Sequence, residues 1–215
     1  MPAYIIMIFI SLIASVTALS VKDNRNTLKY FPFFLAITFL VEYFSWKIGN
    51  AQHTNIFIYN LFSVVEFAFY LFFLRFIIYQ FNKSNIILYS ILAYLALIII
   101  NIFFIQGRNL FHTYTYILGS LFIVILCIIY LNFLFRYTKA SNLISMPVFW
   151  LVSGLLFSFT FSLPVFGIIN FVAKIPTHFE RILRFMVDFM NIMLYLLFTI
   201  GFLCRINIRK LLRSS

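Results

Sequence analysis

Three carboxylates lie inside apolar runs of this sequence: Glu42, Glu66 and Asp188. If those runs cross a bilayer, each charge is worth a few kcal/mol against insertion, so such groups face a bundle interior or water and mark ion, proton or ligand sites. Each also sits on a polar stripe. Thr38, Glu42 and Ser45 are spaced i, i+4, i+7 and share a helix face. Asn60, Ser63, Glu66 and Tyr70 fall within a sector of about 120° at 100° per residue. Arg184, Asp188, Asn191 and Tyr195 follow the pattern i, i+4, i+7, i+11. The chemistry this allows is a polar cavity for a small ligand, a cation or a proton, with Glu42, Asn60, Glu66, Asp188 and Asn191 as its candidate residues. Interhelical hydrogen bonding with an Arg184–Asp188 pair, at about 1 kcal/mol per contact, accounts for the same groups without a ligand. Both readings stay open at this level.

Other chemistries lack their residues. A retinal Schiff base needs a lysine inside the bundle, and every lysine falls between the apolar runs or in the tail. There is no Gly-x-Ser-x-Gly elbow and no phosphate-binding glycine loop. No residue is assigned as catalytic and no cofactor is implied. His53, His112 and His178 fall in expected loops without a His-x-x-x-His or Glu-x-x-His pair, so no metal ligands are assigned either. Cys127 lies mid-run and Cys204 at a run end, which does not suit a disulfide between them.

The elements that carry these residues follow from composition. A chain of 215 residues that is 64% hydrophobic and 10% charged exceeds what a soluble core can hide, since globular domains average near 45–50% apolar. Runs of about 18 or more apolar residues signal transmembrane helices. Seven are expected, over 4–20, 30–46, 56–78, 86–105, 113–135, 147–171 and 185–204, joined by short connections that include 172–184. The fold class is all-α: one transmembrane helical domain, a polytopic bundle of about seven helices spanning 1–215. Pro164, inside the sixth run, removes a backbone donor and is expected to kink that helix, freeing the Thr160 carbonyl. The 31 phenylalanines read first as mutational bias, because Phe, Ile, Asn, Tyr and Lys share A/T-rich codons. Tyr30, Trp46, Tyr79 and Trp150, near run ends, suit the membrane interfaces.

The net charge of +11 would point to nucleic acid only if the basic residues formed one patch, and they are instead spread between apolar runs. On alternate sides of the expected bundle the Lys and Arg residues divide 11 to 5. The richer side holds Lys22, Arg25, Lys29, Arg75, Lys83, Arg136, Lys139 and the four of the tail; the poorer holds Lys47, Arg108, Lys174, Arg181 and Arg184. The positive-inside rule then places the N-terminus out, the C-terminus in and the candidate cavity in the outer half. Arg205, Arg209 and Arg213 align at i, i+4, i+8 in a short basic end that suits an interface anchor or a docking surface for a cytoplasmic partner.

The elements Tyr59-Asn60 with Glu66-Phe67, Phe149-Trp150 with Ser153-Gly154, and Asn191 with Leu194-Tyr195 resemble those of uncharacterised bacterial seven-helix integral membrane proteins. Their layout is similar to membrane-embedded sensor modules. The resemblance implies a receptor-like or accessory sensor in the bacterial inner (cytoplasmic) membrane, with a ligand or membrane state read in the bundle and a separate signalling partner at the cytoplasmic tail. A small transporter or channel using the intramembrane carboxylates is the alternative. The Pro-Gln dipeptide of the small seven-helix sugar transporters is absent, and the first three runs do not match the last three.

Overall fold

A computed structural model describes residues 1–19, 28–50, 55–107, 110–137, 143–171 and 177–213. His53, Lys22, Arg25, Arg108, Lys139 and Lys174 lie outside the described residues. The described residues form seven long helices: α1 (Ala3–Leu19), α2 (Phe31–Asn50), α3 (Ile56–Tyr79), α4 (Ile86–Ile100, continued by a π-helical turn over Asn101–Ile105), α5 (Thr113–Tyr137), α6 (Pro147–Phe171) and α7 (Thr177–Arg213). Six of them, α2 to α7, are long and apolar enough to cross a membrane. The 17 residues of α1 span only roughly 25 Å at 1.5 Å per residue, against a hydrocarbon core of about 30 Å.

Successive helices run antiparallel. Phe31, opening α2, lies edge-on to Phe202 near the end of α7, whereas Glu42, later in α2, meets Tyr4 at the start of α1 and Tyr59 at the start of α3. The longest seams join α7 to α6, α6 to α5 and α1 to α7. Helix α3 is the hub. Its Phe67 stands edge-on to Tyr94 of α4 and Tyr116 of α5 and tilted on Phe159 of α6, while Phe69 and Phe73 take Phe31 of α2 between them.

One half of the bundle is filled. Phe31 and Leu35 of α2, Tyr70, Leu71 and Leu74 of α3, Leu151 and Leu155 of α6, and Phe198 and Phe202 of α7 are fully buried. This half carries the start of α2 and the end of α7, and therefore the Lys/Arg-rich connections. Two glycines set the approach of the helices. A Cβ on Gly119 would overlap the Tyr94 hydroxyl and the Phe67 ring, and one on Gly201 would stand 2.9 Å from the Pro147 carbonyl oxygen. Small residues at such seams let backbones close.

Two boundaries differ from the sequence expectation. Helix α7 begins at Thr177 rather than near 185, so Arg181 and Arg184 are helical and His178 lies in the first helical turn instead of a loop. At the other end no Gly or Pro follows Gly201, so the basic end continues the same helix to Arg213. Pro164 sits inside an unbroken α6 with its ring on the outer, exposed face.

Candidate functional site

In the other half of the bundle the core gives way to a cavity of about 690 Å³. Helix α7 supplies its whole polar stripe to the wall: Arg184, Asp188, Asn191 and Tyr195. Helix α3 supplies Tyr59, Phe62, Ser63 and Glu66, α2 supplies Glu42, and Pro2 and Tyr4 come from the N-terminal end of the chain. Phe111 and Tyr116 close one side and Phe166 of α6 another. The lining runs from the helix ends on the Lys/Arg-poor side to the middle of α3 and α7, at Glu66 and Tyr195.

The three carboxylates have different surroundings. Glu42 Oε2 accepts from the Tyr4 and Tyr59 hydroxyls, both at 3.2 Å. This three-way contact ties α1, α2 and α3 together at the cavity rim. Asp188 is exposed and feels the Arg184 guanidinium one turn away. Glu66 faces the cavity, whose lining it shares with Tyr116 and Tyr195, and the hydroxyls of both tyrosines are near enough to feel its charge. It has no hydrogen-bond partner among the described residues. Glu66 also lines a smaller chamber of about 40 Å³ with Ser158, Ser162 and Asn191, which is room and polar lining enough for an ordered water.

Asn60, the fifth candidate, does not line the cavity. It is buried, its Nδ2 donates to the Leu110 carbonyl at 2.8 Å, and its Oδ1 accepts from the His112 N–H at 3.3 Å. Asn60 thus fastens the chain entering α5 onto α3. His112, expected as an ordinary loop residue, is fully buried beside it. Its Nε2 meets Ser63 Oγ and its Nδ1 lies 2.9 Å from Thr115 Oγ1. Ser63 already donates to the Asn60 carbonyl at 2.9 Å, so the imidazole donates from Nε2 and accepts from Thr115 at Nδ1. Asn101 Nδ2, where α4 widens into its π turn, donates in turn to Thr115 Oγ1 at 3.0 Å and to Gln106 Oε1 at 2.7 Å. Gly107 then reverses the chain at φ 78°, a conformation that glycine adopts without a steric penalty. With no charged group beside it among the described residues, burial pushes the His112 imidazole from 6.5 down to about 4, so it is neutral at physiological pH. Ser63 is the only member of this network that also lines the cavity.

Four of the five sequence candidates therefore share one cavity, and Asn60 sits behind its wall. The aromatic lining went unread because aromatic content was put down to codon bias. His112 carried no local partner in sequence, since Ser63 stands 49 residues away. Among the described residues no cluster of His, Cys, Asp or Glu could hold a metal ion, and both cysteines are free. No protein-family model matches the sequence, and no curated protein or solved structure matches it either.

Proposed function

We propose that this integral membrane protein is a receptor-like sensor module that binds a small ligand in the cavity between α2, α3, α6 and α7. The observation that carries this reading is Glu66: a carboxyl with no hydrogen-bond partner among the described residues, lining a cavity whose volume falls in the usual range for small-molecule sites, about 300–1,000 Å³. By the positive-inside rule the cavity opens outward and the basic end of α7 enters the cytoplasm, where a separate partner would receive the signal. A bacterial inner membrane is the setting the sequence resemblance favours.

The alternative, a small transporter or channel, needs a route through the other half. That half is filled by fully buried Phe31, Tyr70, Leu74, Phe198 and Phe202, which favours binding over conduction. Helix α7 runs from the cavity wall at Asp188, past this layer, to Arg213, so a ligand that shifts it has a continuous lever to the opposite face.

A thermal-stability screen of the purified protein against a broad small-molecule collection tests the reading. Compounds that stabilise the wild type should lose most of their effect on Glu66→Gln and all of it on Asn191→Trp, which fills the cavity. The same compounds should show no Glu66-dependent flux into proteoliposomes. Flux that vanishes in Glu66→Gln would instead establish the transporter alternative.

A further inference from the structure

We infer that the cavity takes an organic cation, an amine or quaternary ammonium with an apolar body, whose charge seats against Glu66 between the rings of Tyr116 and Tyr195. This deepens the ligand-binding reading and rests on it.

Charge comes first. The wall carries three carboxylates, Glu42, Glu66 and Asp188, and one basic group, Arg184. Arg184 and Asp188 are one helical turn apart and offset each other. Glu42 is a fixed part of the rim, with both of its tyrosine donors on one oxygen. Glu66 is left as the carboxyl with no ion-pair or hydrogen-bond partner among the described residues. An anion would meet carboxylates there and find its single cationic contact already engaged.

The described wall is not built as a His/Cys/Asp/Glu metal site. An inorganic ion needs several oxygen or nitrogen ligands converging on one point, and among the described residues no three His, Cys, Asp or Glu side chains do so. Beside the small hydroxyl-lined chamber, the cavity that Glu66 faces has aromatic walls: Tyr116 and Phe166 have centroids 4.3 Å apart, and Tyr195 lines the α7 side. Aromatic walls with one acidic group recognise alkylated ammonium, because the ring quadrupole attracts a cation too weakly hydrated to prefer water. Phe62 and Leu183 toward the mouth leave space for an apolar body.

The experiment uses the full chain in nanodiscs of zwitterionic lipid, with empty discs subtracted. Calorimetric titration compares benzyltrimethylammonium, neutral benzyl alcohol and anionic benzenesulfonate. The cation should bind and the anion should not. Glu66→Gln should weaken the cation by about 30-fold or more, as expected for removal of a buried charge partner. Glu66→Asp, which keeps the charge, should retain binding within about tenfold, and Tyr116→Leu should lose several-fold from the aromatic term. Melting curves establish that each variant is folded. Equal binding of the cation and the alcohol, unchanged by Glu66→Gln but abolished by Asn191→Trp, would overturn the cation class while leaving the cavity reading standing. No binding of the cation at about 10 mM would also overturn it, with the cavity reading then decided by the compound screen.

Discussion

His112 contacts Ser63, which lines the same cavity as Glu66, yet the two titratable groups do different work. His112 is enclosed by neutral partners, Ser63, Thr115 and Asn60, and its imidazole is pushed down to about 4. The unfolded chain takes up this proton near 6.5, so between those values it binds more protons than the folded state. The stabilisation is therefore complete above pH 6.5 and is lost as the pH falls toward 4. Thermal melts in detergent should drop across that window by an amount equivalent to about 3 kcal/mol from this residue. In His112→Gln the drop should shrink by that share, because the variant has no imidazole to titrate. An identical profile in both proteins would contradict a neutral, structural His112. At the cavity rim, Tyr59→Phe removes one donor to Glu42 and should lower stability by about 1 kcal/mol.

At the scale of elements, the glycine seams give the sharpest expectation. Gly119→Leu on α5 collides with Tyr94 and Phe67, so the variant should lose about 2 kcal/mol or more, as overpacked cores do. The same change at Gly167 of α6, where a Cβ meets nothing within 4 Å, should be nearly neutral. Similar melting points for the two variants would refute the seam. Much of this level was legible in sequence. The polar stripe on α7 was correct to the residue, because i, i+4, i+7, i+11 spacing puts groups on one face wherever the helix packs. The stripe on α3 was legible as a stripe but not by destination: Ser63 and Glu66 face the cavity, while Asn60, a turn earlier, is claimed by backbone groups 50 and 52 residues away. Partners at that separation depend on how α5 docks against α3, and a one-dimensional pattern does not encode it. The π turn at Asn101 is hidden for a related reason: beside the local Gln106, the asparagine's other partner, Thr115, lies across the connection to α5.

For the whole molecule the division into a dry half and a hollow half matters most. The buried aromatic layer blocks one side, and the three carboxylates and the aromatic walls gather on the other. Hydropathy gave the number of helices, but not the cavity, because a filled core and a lined cavity both draw on Phe, Tyr and Leu. Orientation can be checked independently. A cytoplasm-active reporter fused after Ser215 should be active and one fused before Met1 silent, as seven spans with an outer N-terminus require. Equal activity at both ends would mean that the short α1 does not cross. The central claim, a ligand cavity open only toward the Lys/Arg-poor face, is tested most directly by thiol accessibility. Asn191→Cys, in a Cys204→Ser background that leaves only the fully buried Cys127, is treated in sealed vesicles with a membrane-impermeant methanethiosulfonate from one side at a time. The account requires modification from the Lys/Arg-poor face, slowed by bound benzyltrimethylammonium, and protection from the basic face. Equal reactivity from both faces, or none from either, would contradict it.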